Sequence, residues 1–342
     1  MVLVKSMKAL VVSSKHRDML ALTLWDGLQQ VLGEANVVDA VGSPSLRRSS
    51  ALDYLAVHGE DSESHRHLNT AFTCQELGAT REGRTWDAAG EEDFDLVVVH
   101  SCFGDDSDWQ EARDLLAHLG DGGKVAWVDG ADDSRHVVER PFGSDAVFRK
   151  EIAPGRTYPY GDSLYHLGFA APERWFAGTE VREGARDIDV LFVGSVESDG
   201  SPRWEMCSKV FQCRRRHKAV VASVGMGWPN YTALLRRAKF ALCPSAAAGA
   251  DSLRTYEAVS AGAIPVFVSY PPRCRDPWFP PEVSVTVQDV NSLPGVLDSC
   301  LDGHDLAPMR RKLREWALEH HTTRARALKV LTTLGFREGE DF

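Results

Sequence analysis

No run of apolar residues in the 342-residue chain approaches the roughly 18 that a membrane-spanning helix needs, so the sequence offers no candidate span. The first strand-like run, Leu10 to Ser14, is too short for the core of a secretory signal and meets Lys15, His16, Arg17 and Asp18 at once. A cytoplasmic location is the expectation. Cysteine is scarce and scattered: there are seven thiols and no CxxC pair, which argues against a zinc ribbon or a disulfide framework and fits a reducing compartment. No segment recurs at a fixed period, so repeat architectures drop out. Positive charge is in deficit, with 39 Lys and Arg against 49 Asp and Glu. The deficit is uneven: residues 1–170 hold 16 basic and 28 acidic side chains, residues 171–342 hold 23 and 21. An acidic first half argues against a broad nucleic-acid surface, and the second half is the natural place for an anionic ligand.

What is present is an ordinary globular composition, 43% hydrophobic and 26% charged, at a length that suits two domains. Strand-like and helix-like segments alternate. Lys8–Ser14, Asn36–Val41, Phe94–His100 and Lys124–Asp129 read as strands, with helices at Met19–Leu32 and Trp109–Leu119. The rhythm restarts at Asp189–Gly194 and continues through strands at Ala219–Val224, Phe240–Pro244, Ile264–Ser269 and Ser284–Val287. Helices fall at Tyr231–Ala238 and Ser252–Ala261, and Leu306–Leu334 reads as two helices joined near His320–Thr323. Such alternation predicts an α/β protein with parallel sheets covered by helices. Residues 1–178 and 179–318 are the expected domains, with 319–342 a helix that packs back toward the first.

The segment richest in chemistry is Leu234–Ser269. A strand ends at Pro244, and the small-residue loop Ser245–Ala250 lets a ligand approach the backbone. Asp251 or Ser252 caps the following helix, whose N–H groups and positive dipole end favour an anion. Arg254 lies in the first turn, suited to a phosphate, and Glu257 stands one turn on, where a carboxylate can accept two hydrogen bonds from a ribose diol. Together these suit a nucleoside diphosphate; an ordinary strand-loop-helix-strand unit with a capped helix is the plain alternative.

The run Asp251-Ser252-Leu253-Arg254 with Glu257-Ala258, then Ala261-Gly262-Ala263-Ile264-Pro265-Val266, resembles the donor-side motif of exostosin-like glycosyltransferases and of bacterial glycosyltransferases of the spore-maturation-protein type. Asp187–Ser195 followed by Arg203, Asp129–Asp133 with Phe148–Glu151, and His320-His321-Thr322 with Arg326-Ala327 resemble further stretches of the same families, in the same order over about residues 120–330. The resemblance implies a GT-B type fold: two Rossmann-like, doubly wound domains facing a cleft, the donor on the second and the acceptor on the first. It implies donor contacts from Gly194, Ser195, Arg203, Pro244, Asp251, Ser252, Arg254 and Glu257. It implies no cofactor and no metal, the co-substrate being a nucleotide sugar, UDP- or GDP-linked. Two departures stand out. Retaining enzymes of this fold often carry two glutamates eight positions apart, and Gly249 occupies the first position here; a basic residue often follows the proline, and Ser245 stands there.

An inverting reaction needs a base for the acceptor hydroxyl. His16 after the first strand and Asp129 at the end of another are the candidates, with His100 and Asp105 behind them. The acceptor is expected to be a polysaccharide or a small molecule; a modified DNA base is the minority alternative, against which the acidic first half counts. A nucleotide-sugar-binding protein without transfer, or a nucleotide-sugar epimerase, would use the same fold. The basic run Arg214–Lys218 reads as a solvated helix face, His320-His321 as a helix junction, and Pro277–Pro281 as either a pocket wall or a packed loop.

Overall fold

The computed structural model describes residues 7–13, 19–41, 93–101, 116–117, 122–130, 143–152, 156–177, 186–194, 196, 201–222, 227–244, 252–268 and 279–336. His16, Asp105, Ser195, Asp251 and most of the expected Trp109–Leu119 helix lie outside them. The described residues fall into two units. One holds those up to Pro172 and those from Thr322 on; the other holds Glu173–His321.

The first unit contains β1 (Ala9–Ser13), α1 (Met19–Leu32), β2 (Val37–Val41), β3 (Leu96–Ser101), β4 (Lys124–Asp129), β5 (Ala146–Arg149) and β6 (Leu164–His166). The strands form one parallel sheet in the order β2-β1-β3-β4-β5-β6. Aliphatic residues dominate β1 and β3, and both strands are buried on successive residues, which is what a parallel sheet covered on two faces requires. Leu10, Val12, Val97, Val99, Trp127 and Val147 make the core on one face, closed by Tyr158 and Tyr160. The Tyr160 ring meets Trp127 edge-on at 5.5 Å. The short strands β5 and β6 have no counterpart in the sequence reading.

The second unit contains β7 (Ile188–Val193), α2 (Pro202–Gln212), β8 (Ala219–Ala222), α3 (Trp228–Arg237), β9 (Ala238–Leu242), α4 (Leu253–Ser260), β10 (Ile264–Val268), β11 (Val285–Val287), α5 (Leu293–Leu301) and α6 (Ala307–His320). Its sheet is parallel in the order β11-β10-β9-β7-β8. Arg186, buried just ahead of β7, donates to Leu235 O (3.3 Å), Ala261 O (2.9 Å) and Ala238 O, so one guanidinium satisfies the carbonyl ends of α3 and α4. The basic run after α2 is a single tight turn over Cys213–Arg215 rather than a helix face. Arg216 and His217 reach Asp298 of α5 at 2.5 and 2.6 Å, and Lys218 pairs with Asp187 at 2.5 Å. His321 is buried, stacks on Phe279 at 4.4 Å and receives the Trp316 indole N–H at 3.2 Å. Phe279 also stacks on Phe267, so this part of the Pro-rich loop is packed into the unit.

The last helix, α7 (Thr323–Thr333), belongs to the first unit and packs on α1. Thr322 caps it, accepting from Ala325 N at 3.1 Å. Gly27 sets the distance of approach, because a Cβ there would overlap the Thr323 carbonyl. Asp26 accepts from the Thr323 hydroxyl (2.6 Å) and from Gln30 (2.7 Å), a buried polar clasp across the contact. The changeovers lie at Pro172/Glu173 and His321/Thr322, against the 178/179 and 318/319 read from the sequence.

His166 on β6 ties this unit's stability to pH. Burial, aided by the charges of Arg326 and Lys329, pushes its pKa down to about 3, and its Nε2 lies 3.1 Å from Lys150 O. An unfolded histidine takes up a proton near pH 6.5, so the unfolded state binds more protons between those values and stability falls as pH falls below 6.5. Urea unfolding is expected to show a loss of about 2 kcal/mol between pH 7 and pH 5, largely removed in His166→Gln. An equal loss in the variant would place the titration elsewhere.

Candidate active site

In an open parallel sheet, ligands bind beyond the C-terminal strand ends where strand order reverses. In the second sheet the chain goes from β7 out to β8, then crosses back to β9 on the other side of β7. The reversal point therefore lies between the C-terminal ends of β7 and β9. Gly194 follows β7, and Cys243 and Pro244 follow β9. The next described residue, Ser252, opens α4.

Gly194 has φ +148, a region that side chains with a Cβ rarely adopt, and a Cβ there would overlap the Arg254 guanidinium. Glycine thus suits the backbone here, and a Cβ would make the guanidinium shift. Arg254, in the first turn of α4, donates from Nε to Val193 O at 2.9 Å and lies over the Phe192 ring at 4.8 Å. These contacts hold a cation at the strand end. Its Nη1 is buried with no hydrogen-bond partner among the described residues. Ser252 is the N-cap residue, extended at φ −140 and ψ 134, and its side chain makes no capping hydrogen bond. The start of α4 thus contributes backbone N–H groups and a positive dipole end beside Arg254.

Arg203, in the first turn of α2, enters the same neighbourhood. Burial pushes the Cys207 thiol up to about 12, while Arg254 and Arg203 both pull against it. Both guanidinium charges therefore act on the one sulfur. Pro244 is buried, and Cys243 N bonds to Val266 O at 2.9 Å, so the end of β9 is fixed to β10. The Cys243 thiol is likewise pushed up to about 12 by burial, against a hydrogen bond with Thr255 of α4. Neither cysteine is a nucleophile near neutral pH.

Glu257 is buried on α4, one turn beyond Arg254. Its Oε2 accepts from the Tyr231 hydroxyl at 2.6 Å. Tyr231 is itself buried against Trp228, and burial together with the Glu257 charge raises its pKa well above the usual value, so it remains a donor. Sequence reasoning missed Tyr231, Phe192 and Cys207; each reads there only as an apolar position.

Of the residues expected to contact a donor, Gly194, Pro244, Ser252 and Arg254 lie about the strand ends at this reversal point, Glu257 stands one turn further along α4, and Arg203 is in the first turn of α2. Asp129 belongs to the first unit. It is buried, and Arg149, 1% exposed, brings its Nε to 3.0 Å from Asp129 Oδ2. Arg149 also lies over the Tyr158 ring at 4.9 Å. Asp129 therefore stands in a buried ion pair. The first sheet reverses between β1 and β3, where His100, buried inside β3 rather than after it, is in register with Ser13. Among the described residues no three His, Cys, Asp or Glu side chains cluster as a metal site.

No family model matches the chain, and no curated protein matches it. Solved structures do. HepE of Anabaena in complex with UDP and glucose superposes with a TM-score of 0.56 at 9% identity, covering 96% of this chain and 99% of that one. An alpha-glucosyltransferase in complex with UDP-glucose and DNA containing an abasic site gives 0.58 at 10%, with the same coverage. The lipopolysaccharide outer core galactosyltransferase WaaB gives 0.53 at 9%, covering 95% and 99%. The chain has the two-domain Rossmann-like GT-B fold.

Proposed function

We propose that this protein is a glycosyltransferase that moves a sugar from a nucleotide-sugar donor to an acceptor hydroxyl. The observation that carries the reading is Arg254, a guanidinium held at the reversal point of the second sheet against Gly194, whose backbone conformation other residues rarely adopt, with a buried N–H lacking a partner among the described residues. Solved proteins of this fold hold UDP and UDP-glucose, which supports the same class of ligand here.

Arg254, Arg203 and the start of α4 at Asp251 and Ser252 hold the diphosphate. Gly194, Ser195 and Pro244 let it approach the backbone, and Glu257 takes the ribose or the sugar. The donor is UDP- or GDP-linked, and neither metal nor cofactor takes part. The acceptor oxygen attacks the anomeric carbon, and the bond to the diphosphate breaks with both electrons leaving on phosphate. Preorganised cations at that oxygen act where charge develops, the arrangement that contributes most to rate. If the reaction inverts, Asp129 and His16 are the candidates for the base, and the ion pair of Asp129 with Arg149 counts against it by making the carboxylate less basic. The acceptor is a polysaccharide or small-molecule hydroxyl, bound by the 1–178 domain. The resemblance of residues 251–266 to the exostosin-like donor motif supports an exostosin-like subtype.

A thermal-shift panel of UDP, GDP, CDP, ADP and dTDP sugars tests the reading. A donor at about 100 times its Kd adds roughly 2.7 kcal/mol to the native state, a clear rise in Tm. No rise with any of the five at millimolar concentration would contradict it. Tyr231→Phe provides a finer check. Loss of a hydrogen bond to a carboxylate, about 1.5 kcal/mol, should raise the donor KM about tenfold while kcat changes little, because Glu257 grips the part of the donor that does not react. An unchanged KM would detach Glu257 from the donor.

A further inference from the structure

One face of α2 is unlike the rest of the molecule. Between Arg203 and Lys218 the chain carries six Lys and Arg against a single Glu, in a protein whose net charge is −10. Two of the three large apolar side chains that stand exposed among the described residues lie on this helix: Trp204 at 37% and Phe211 at 52%. They are seven positions apart, two helical turns, and so share a face. With Ser208, Gln212, Arg214 and Arg215 they line one open groove of about 550 Å³ beside the edge strand β8. Arg214 lies over the Phe211 ring at 4.4 Å. Arg216 and Lys218 are engaged by Asp298 and Asp187, but among the described residues neither Arg214 nor Arg215 has a carboxylate partner.

We propose that this face docks on an anionic lipid bilayer. Trp204 is an amphipathic anchor of the kind that settles at the headgroup level and Phe211 an apolar one, while Arg214 and Arg215, which have no carboxylate partner among the described residues, meet lipid phosphate. A cation stacked on the exposed ring beside the bilayer keeps its charge in the headgroup zone while its stem covers apolar surface. A bilayer fits better than an acidic protein, because a stable protein interface buries about 800 Å² per partner and two rings fall well short of that. Reversible interfacial binding needs only a few anchors plus charge. No helix among the described residues is long and apolar enough to cross a membrane, so the contact is a surface one. Val196 and Cys207, which also line the groove, adjoin the residues proposed to hold the donor, but none of the four side chains proposed to meet the bilayer is among those residues.

The test is sedimentation of the full chain with vesicles of equal parts phosphatidylcholine and phosphatidylglycerol, and with vesicles of phosphatidylcholine alone. Binding to the first, weakened by salt, and little binding to the second is the expected result. Each arginine near an anionic surface contributes about fivefold, equivalent to about 1 kcal/mol, so Arg214→Gln/Arg215→Gln should lose roughly 25-fold in partitioning. Trp204→Ser/Phe211→Ser should abolish the salt-resistant remainder. All four positions are at the surface, and an unchanged Tm confirms each variant folds. No sedimentation with the anionic vesicles overturns the proposal, as does equal partitioning of wild type and the arginine variant. Polyglutamate displacing the protein as well as vesicles do would assign the face to an acidic polypeptide instead.

Discussion

Asp129→Asn should destabilise the protein by about 3–5 kcal/mol, seen as a lower urea midpoint, because it removes the carboxylate charge 3.0 Å from the buried Arg149 guanidinium. Arg149 is 1% exposed and cannot turn to water. The Tyr158 face offers it a partial substitute, worth on the order of 1–2 kcal/mol, which is too little to replace a carboxylate. Removing both charges should be milder than removing one. Asp129→Asn/Arg149→Met is therefore expected to regain most of the loss, since the desolvation cost of the pair disappears with it. The experiment also separates two roles for Asp129. A variant of full stability whose turnover had fallen 10²–10⁴-fold, the usual worth of a general base, would make Asp129 the base and overturn the structural assignment.

Arg254→Ala should lower turnover of the donor by about 10²–10³-fold, the cost of deleting one preorganised donor aimed at developing charge, with the fold intact. The fold should survive because Arg254 is only partly buried and its hydrogen bond among the described residues is to a strand-end carbonyl. Arg254→Lys should recover little. A lysine brings charge but cannot keep both the bond to Val193 O and a planar fork directed at phosphate. Gly194→Ala should resemble Arg254→Ala, because its Cβ overlaps the guanidinium and displaces it. Wild-type kinetics in Arg254→Ala would remove the arginine from the site.

The site's local half is legible in the sequence. Ser252, Arg254 and Glu257 lie within two turns of one short helix, so their relation is fixed by helical spacing alone. Gly194 is legible as the residue ending an apolar run. Its necessity is not, since that depends on an arginine sixty residues later. The same holds for Tyr231, which on α3 reads as part of an apolar face and becomes a donor to Glu257 only when α3 and α4 pack. Asp129 and Arg149 are both conspicuous, yet only the pairing of β4 with β5 puts them in register. The strands β5 and β6 escaped because runs of four and three residues carry too little pattern to distinguish from loop. The start of α2 was written in a readable form, Ser201 capping and Pro202 at the first position, though its helix interior has little apolar periodicity to follow. The fate of Arg214–Lys218 was out of reach, because Asp298 and Asp187, which take three of those residues, lie about eighty and thirty positions away.

The most direct test of the account is amide hydrogen exchange with and without the nucleotide sugar that raises the melting temperature most. The account predicts slowed exchange at the end of β7, Phe192–Gly194, and at the start of α4, Ser252–Glu257, with Arg254→Ala abolishing both effects. Protection confined to other segments, or none at saturating donor, would contradict a donor site at the reversal point of the second sheet.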